Sequence, residues 1–259
     1  MESIENNRET ENRNGTEKLK PRIGITGNTL KWIAILTMVI DHLGASVLFR
    51  LITTQTVTGN NIIAWYRLTR NIGRVSFPIF CFLLVEGFLH TGNVKKYAIS
   101  LGCFAILSEL PFDLAFFQTR WNPNNQNVFF TLFLGLCFMI VAKKGEELTN
   151  LFIRYILIAV SFGGFMYLAE LLETDYGAYG VLSIGVLYLS RENRLRQLCV
   201  GALSFIWEWP APLGMLFPLV YNGTRGKGTK TAWGKYFFYA FYPLHLLFYY
   251  GVLVLLELG

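Results

Sequence analysis

Long apolar stretches separated by short polar joints fill the sequence from Leu30 almost to its end. A bilayer core is about 30 Å thick and an α-helix rises about 1.5 Å per residue, so roughly 20 consecutive apolar residues cross it. A soluble domain of 259 residues rarely combines 53% hydrophobic with only 15% charged residues, because its surface must be solvated. The sequence therefore predicts an all-α, polytopic transmembrane helix bundle.

We predict about nine apolar segments. Two of them, within residues 195–221, are short for regular spans and form either short spans or a re-entrant hairpin broken between Trp209 and Pro212. The segments are Leu30 to Ile52, Ile72 to Leu89, Tyr97 to Phe117, Val128 to Val141, Leu151 to Leu172, Ala178 to Ser190, Leu195 to Trp207, Pro212 to Tyr221 and Tyr236 to Leu258.

The first 29 residues are rich in charge and poor in large apolar side chains. They lack the charged start, apolar middle and small-residue cleavage site of a signal peptide. We therefore expect residues 1–29 to form a disordered cytoplasmic tail and residues 30–259 to form one transmembrane domain.

Clusters of Lys and Arg predict the orientation, because cytoplasmic loops of inner-membrane proteins carry an excess of positive charge. With the N-terminus in the cytoplasm and the C-terminus external, the inner loops carry most of these residues, such as Lys95, Lys143, Arg194 and Lys227. The exception is the first outer loop, which holds Arg50, Arg67, Arg70 and Arg74 and therefore invites a functional interpretation. Short clusters between apolar blocks serve topology and do not indicate nucleic-acid binding.

Among the carboxyl groups inside apolar segments are Asp41, Glu86, Glu109 and Asp113. Each costs about 2.5 to 3.5 kcal/mol near the bilayer centre if it is unpaired, so each needs a partner or water. His42, His90 and His245 are the three histidines of the chain, and all lie in or at apolar segments. This concentration of ionisable groups indicates a site within the membrane.

Asp41 and His42 are helical neighbours near mid-membrane, and their side chains point about 100° apart. We expect Asp41 to meet an arginine such as Arg74 and His42 to face a cavity. The alternative for His42 is a structural hydrogen bond between helices. His245 follows Pro243 in the last segment, where a structural partnership with backbone freed by proline is the alternative to catalysis.

Two pairs of ionisable residues are spaced i, i+4 and share a helix face. Glu109 and Asp113 flank Pro111, while Glu86 and His90 lie near the other membrane face, and in each case a structural contact is the alternative to catalysis. Further polar candidates begin apolar blocks near the outer face: Asn127, Asp175 and Tyr176.

At these residues the sequence resembles the TraX family, whose eponym is a conjugative protein associated with N-terminal acetylation of pilin. The resemblance covers nearly all of the chain after Gly27 and is carried, in order, by LKWIAILTMVIDHLGA, GRVSFPIFCFLLVEGFLHTG, LSELPFDLAF, NVFFTL, DYGAYGVL and FYPLHLL. It implies as motif positions Asp41, His42, Arg74, Glu86, Glu109, Asp113, Asn127, Asp175, Tyr176 and His245.

The resemblance implies an integral membrane acetyltransferase that moves an acetyl group from cytoplasmic acetyl-CoA to an amine or hydroxyl reached from the outer side. In our hypothesis His42 is the general base, with His245 in reserve, Asp41 tuning the site and Arg74 or Asn127 stabilising the thioester oxyanion. The catalytic candidates are Asp41, His42, Glu109, Asp113 and His245, and the substrate or CoA candidates are Arg67, Arg70, Arg74, Glu86, Asn127, Asp175 and Tyr176.

Direct transfer and an acetyl-histidine intermediate both fit the sequence. We expect membrane lipid and a small-molecule, glycan or peptide acceptor as partners, and no metal. A proton-coupled transporter would bury the same kinds of residues, and an assembly scaffold without chemistry is a third possibility.

Overall fold

The computed structural model describes residues 24–226 and 232–258, and in the last helix it describes side chains from residue 237 onward. The predicted tail up to residue 23, and the basic residues Lys227, Lys230 and Lys235, lie outside this description. The helices are α1 (Gly27–Thr53), α2 (Asn60–Gly73), α3 (Ser76–His90), α4 (Val94–Phe117), α5 (Val128–Glu146), α6 (Leu151–Leu171), α7 (Gly177–Leu189), α8 (Arg194–Ser204), α9 (Leu216–Leu219) and α10 (Ala232–Leu255).

The prediction of an all-α membrane bundle is confirmed, since the described residues contain two isolated β-bridges and otherwise helices, turns and loops. Six helical stretches are long and apolar enough to cross a bilayer, so the chain is a multi-pass membrane protein. They are Gly27–Thr53, Asn60–His90, Val94–Phe117, Val128–Glu146, Leu151–Leu171 and Phe237–Leu255, and Gly177–Leu189 is a shorter apolar helix.

One predicted loop is wrong: the segment before Ile72 is helical from Asn60. It is amphipathic, with Thr69 and Gly73 buried and Trp65 and Leu68 exposed, so it does not appear as a continuous apolar run in the sequence. Arg67 and Arg70 consequently lie on a helix, where their direction is set by helical periodicity.

Asparagine side chains cap the first turn of four helices. The side chains of Asn93, Asn127, Asn150 and Asn193 accept hydrogen bonds from backbone amides in the first turns of α4, α5, α6 and α8, respectively. Each cap satisfies one of the amides that a helix start leaves without a partner. These caps explain why the helices begin where the sequence changes from polar to apolar.

Helix α3 is the central element of the bundle, because ten of its fifteen residues are buried. Helix α1 packs against α2 and α3, and α10 packs along α4. Helix α6 lies at the periphery with apolar side chains such as Phe152 and Val160 exposed, as expected for a surface that faces lipid.

Helix α1 changes to π-helix directly after His42, over Leu43–Leu48. A π segment inserts an extra residue per turn and is frequent at functional sites. Within it Ser46 is buried and donates to the carbonyl oxygen of Ala115, at 2.8 Å. The irregular segment thus ties α1 to α4 immediately beyond the Asp41–His42 pair.

Residues 194–221 form a hairpin of short helical segments that begins and ends at the same end of the bundle, and whether it crosses the bilayer stays as open as the sequence left it. Its two ends meet, since the Arg194 guanidinium lies 5.6 Å from the centre of the Tyr221 ring and 2.9 Å from the Glu86 carboxylate. Its tip is made of short 3₁₀ segments, Ile206–Glu208 and Ala211–Met215. The tip reaches Arg74, which forms an ion pair with Glu208.

Candidate functional site

Two cavities enter the bundle. The first, here the Arg70 cavity, has a volume of about 370 Å³ and is lined by ionisable and aromatic side chains that include Asp41, His42, Arg70, Asp175 and Tyr176. The second, here the Lys31 cavity, has a volume of about 240 Å³ and a largely apolar and aromatic lining, with Lys31 and Arg225 as its basic members. Lys31 precedes Asp41 by ten residues on α1, so these two lining residues lie about 15 Å apart along the helix axis.

The two cavities share a wall. Four residues line both of them: Met38, Phe80, Val128 and Tyr242. Met38 and Tyr242 are nearly buried, at 8% and 3% exposure. Ligands in the two cavities would therefore be separated by one layer of side chains.

His42 and His245 form a hydrogen-bonded pair at the Arg70 cavity. Nδ1 of His42 lies 2.7 Å from Nε2 of His245, and the two rings are 8° from parallel. Nδ1 of His245 lies 2.9 Å from the carbonyl oxygen of Phe241, which can only accept a hydrogen bond. With both imidazoles neutral, His245 therefore carries its hydrogen on Nδ1, and His42 donates from Nδ1 to Nε2 of His245. Nε2 of His42 is left with a lone pair and has no hydrogen-bond partner within the described ranges.

Asp41 pairs with Arg70, whose Nη1 lies 2.6 Å from Oδ2. The sequence had suggested Arg74 as an example of the partner, and that choice is wrong. Gly73 explains the difference, because a Cβ at that position would overlap the Asp41 side chain, so α2 approaches α1 closely enough for Arg70 to reach it. Arg74 follows the end of α2 and pairs with Glu208 instead. Asp41 and His42 do face different helices, as helical geometry required.

The Arg70 cavity is also lined by Asp175 and Tyr176. The Tyr176 ring stacks on Phe77 with centroids 3.5 Å apart. The loop that carries Asp175 is tied to the loop before α5, since the Asp175 amide donates to the carbonyl oxygen of Gln126 at 2.8 Å. Asp175 is exposed to the cavity, and desolvation by the surrounding bundle raises its pKa from its ordinary value to about 6, with the Asp41 carboxylate acting in the same direction against Arg70 and Arg74.

Glu109, Asp113 and Asn127 form a separate buried cluster. Oε2 of Glu109 accepts from Nδ2 of Asn127 at 2.5 Å and from its backbone amide at 3.2 Å. Oδ2 of Asp113 accepts from the backbone amide of Asn122 at 2.8 Å. None of the three lines the Arg70 cavity. In this geometry the two carboxylates hold the loop that precedes α5, and their expected catalytic roles stay predictions.

Comparison with known proteins agrees with this architecture. A family model described as TraX protein matches residues 26–253. The chain belongs to the TraX family. It is also 30% identical over 244 residues to the "Probable fimbrial assembly protein FimC, serogroup H1" of Dichelobacter nodosus, an alignment that covers 84% of this chain and 91% of that protein. No solved structure matches the chain.

Two further candidate residues of this TraX protein, Glu86 and Arg67, lie away from the two histidines. Glu86 forms an ion pair with Arg194 and lies 3.9 Å from His90. It therefore holds the first residue of the hairpin against α3. Arg67 is exposed one turn before Arg70 and lines neither cavity. Their assignment to substrate or CoA binding stays a prediction.

Two residues at the Arg70 cavity were missed by sequence reasoning. Glu208 is 8% exposed and pairs with Arg74, and Tyr242 lines both cavities. The signal for Glu208 was present as a carboxylate between two tryptophans in WEWP, directly after an apolar segment. No comparable signal marks Tyr242, which is one of several aromatics in YAFYPLHLL.

No group of three or more His, Cys, Asp or Glu side chains within residues 24–226 and 232–258 is arranged to hold a metal ion. The ionisable groups of the Arg70 cavity are instead organised as Asp41 with Arg70, Glu208 with Arg74, and His42 with His245. Asp175 has no ion pair in the described part of this TraX chain. The site therefore contains a histidine nitrogen with a free lone pair, two ion pairs, and one carboxyl group without an ion-pair partner.

Proposed function

We propose that this TraX-family chain is a membrane-embedded acetyltransferase that uses acetyl-CoA from the Lys31 cavity and an acceptor from the Arg70 cavity. The observation that supports it most directly is the wall shared by the two cavities, which begins one helical turn before His42 at Met38. Two substrates that enter from opposite ends would be separated there by one layer of side chains, so a displacement of that layer would bring them into contact without either crossing the membrane. Proximity of this kind supplies a large part of the catalysis of a two-substrate reaction.

The Lys31 cavity suits the arm of acetyl-CoA. Its walls are mainly apolar side chains such as Ile35 and Leu84, which fit the pantetheine chain. Lys31 and Arg225 also line it and carry the positive charge that phosphate groups require. The nucleotide would remain at that end of the bundle while the thioester reaches the wall at Tyr242.

His42 acts as the general base in this proposal. Its free Nε2 takes a proton from the acceptor N–H or O–H as the nitrogen or oxygen attacks the thioester carbonyl carbon. The carbon–sulfur bond then breaks, and the same proton passes from Nε2 to the CoA thiolate. Acetyl-CoA and acceptor thus become acetylated acceptor and CoA in a direct transfer, with no net proton on the enzyme.

The charges of the Arg70 cavity favour an amine acceptor. Two of its carboxylates, Asp41 and Glu208, are paired with arginines, and Asp175 remains as the unpaired negative group. A protonated amine would be attracted to it and would release one proton to solvent before the attack, so that His42 takes the second proton as the carbon–nitrogen bond forms. The relative named as a fimbrial assembly protein supports a peptide amine, such as the N-terminus of a pilin subunit, although glycans and hydroxyl compounds belong in the test.

The proposal places the Lys31 cavity on the cytoplasmic side of the inner membrane, following the positive residues of the loops. Single cysteines at Asn124 and Lys95, both exposed and at opposite ends of the bundle, test this after Cys103 and Cys199 are replaced by Ser. An impermeant thiol reagent should label the cysteine at 124 in intact cells, and the cysteine at 95 only after lysis. The reverse pattern would overturn the orientation.

The activity itself is tested by CoA release from the purified protein supplied with acetyl-CoA and an acceptor panel. The panel contains a peptide with a free N-terminus, the same peptide with a blocked N-terminus, and an amino sugar. Acceptor-dependent CoA release is expected for the free peptide. Two opposed cavities also suit a carrier, which would instead give solute uptake into sealed vesicles without CoA release.

A further inference from the structure

Tyr242 occupies the wall between the two cavities. Its ring is edge-on to His42 at 5.8 Å, to His245 at 5.6 Å and to Phe129 at 4.9 Å between centroids. These contacts hold the phenol in one position with 3% of the residue exposed. It is therefore one of the few polar side chains that both ligands could touch.

Tyr242 shares the wall with Val128, the first residue of α5, and its hydroxyl lies within reach of the Val128 backbone amide. The side-chain oxygen of Asn127 caps the amide of Phe129 instead, at 3.0 Å, which leaves the Val128 amide to the phenol. A helix N-terminus is the positive end of the helix dipole. An oxygen that accepts from this end is polarised and becomes a better donor through its own O–H.

The O–H of Tyr242 has no acceptor among the residues that the structure describes. Asn127, one of the oxyanion donors expected from the sequence, is fully committed, because its two amide hydrogens bond Ala105 at 2.8 Å and Glu109 at 2.5 Å. Arg74, the other, is paired with Glu208. Tyr242, unlike Asn127 and Arg74, lies in the shared wall. Its O–H is also available for a ligand.

We propose that Tyr242 is a catalytic residue that donates its O–H to the thioester carbonyl oxygen while His42 takes the proton of the acceptor. As the acceptor attacks, negative charge builds on that oxygen, and the hydrogen bond strengthens as it does. Tyr242 keeps its own proton when the carbonyl reforms and CoA leaves. The inference rests on the proposed acetyl transfer and assigns its oxyanion-stabilising group.

The first test replaces Tyr242 by Phe, which keeps the ring and its packing. Loss of one such donor typically lowers kcat by about 10²- to 10³-fold, and we expect a loss of that order with the KM for acetyl-CoA and CoA binding within about twofold of wild type. Tyr249→Phe is the matched control. Its hydroxyl donates to the carbonyl oxygen of Val39 at 2.8 Å, and it lines neither cavity, so its kcat should be unchanged.

A second pair of variants keeps Tyr242 and alters the amide behind it. Val128→Pro removes the N–H at the first helical position, which tolerates proline, and Asn127 already has the extended backbone that must precede it. Val128→Ala trims the side chain and keeps the N–H. We expect Val128→Pro to lower kcat by about two- to fivefold relative to Val128→Ala, because the donor is less polarised.

The outcomes separate the two proposals. CoA release by wild type with near-normal kcat in Tyr242→Phe, or equal kcat in the two Val128 variants, would overturn the role of Tyr242 and leave the acetyltransferase standing. Absence of acceptor-dependent CoA release by wild type would overturn both. If Tyr242→Phe is not monodisperse in detergent, the Val128 pair decides the question.

Discussion

His245 lies behind His42, outside the lining of the Arg70 cavity, and accepts the Nδ1 hydrogen of His42 at 2.7 Å. The second histidine thereby does for the first what a carboxylate does in many catalytic triads, which is to select the tautomer and hold the ring. It does so without adding negative charge to an apolar environment. Its own orientation is secured by the carbonyl oxygen of Phe241, one turn earlier on α10.

This relationship predicts different effects for the two histidines. His42→Gln should lower kcat for acetyl transfer by about 10²- to 10⁴-fold, because the general base is lost, with CoA binding unchanged. His245→Gln should retain more activity than His245→Ala, since an amide oxygen near the position of Nε2 can still accept the hydrogen of His42. CoA release under saturating substrates measures all three variants.

The contrary result is informative about which ring is the base. Near-normal turnover in His42→Gln would reject its assignment, and a collapse confined to the His245 variants would move the catalytic role to His245. Monodispersity and CoA binding measured beside turnover distinguish loss of chemistry from loss of fold.

The ion pair of Glu208 with Arg74 predicts a structural penalty when one partner is removed. Glu208→Ala leaves Arg74 unpaired beside the cavity, and because about a third of that arginine side chain is exposed, we expect a loss of about 1 to 3 kcal/mol in the free energy of unfolding. The double variant Arg74→Gln, Glu208→Gln should lose less than Glu208→Ala. Thermal unfolding in detergent reports the difference.

Arg196 provides the matched control for that ion pair. It lies 3.8 Å from Glu192 in an exposed pair on the same hairpin, with side chains 56% and 81% exposed. Exposed pairs contribute little, so Arg196→Gln should leave the unfolding temperature almost unchanged. Equal shifts in Arg196→Gln and Glu208→Ala would show that the tip contact has no special weight.

Arg67 and Arg70 are now expected to differ, although the sequence grouped them. Arg70→Gln removes the partner of Asp41, whose second oxygen, Oδ1, is already buried without a hydrogen bond. We expect it to raise the KM for the acceptor or to lower stability, whereas Arg67→Gln should do neither because Arg67 is exposed and lines neither cavity. Kinetics with each substrate varied in turn separate the two variants, and identical behaviour would contradict the assignment.

The bundle could be predicted because its signals are local. Apolar runs of spanning length predict helices, and a carboxylate or histidine inside such a run predicts a site, since burying it costs free energy. Asp41 and His42 were found in this way. Helical geometry also predicted correctly that their side chains would face different partners.

The pairings could not be predicted, because they depend on distances between helices that are remote in sequence. His42 and His245 are separated by 203 residues. The choice of Arg70 over Arg74 depends on where α2 ends and on the close approach that Gly73 allows. Glu208 was overlooked because it lies in the break between two short apolar segments.

Asp175 gives the remaining prediction, which concerns pH. Desolvation by the surrounding bundle raises the pKa of Asp175 to about 6, with Asp41 adding to that rise and Arg70 and Arg74 opposing it. The carboxyl group is therefore neutral below about pH 6 and negative above it. If the carboxylate attracts a protonated amine, the KM for an amine acceptor should decrease as the pH rises through 6 and then level off.

Asp175→Asn and a neutral acceptor distinguish the effect of Asp175 on KM from the ionisation of His42. Asp175→Asn should show a higher KM for the amine across pH 5 to 8, without the step near pH 6, while its kcat retains the pH dependence of wild type because His42 is intact. A neutral hydroxyl acceptor should show no step in KM with either protein, since it gains nothing from the ionised carboxyl group. A step that persists in Asp175→Asn would assign it to another group. A flat KM in wild type would mean that Asp175 does not bind the acceptor through its charge.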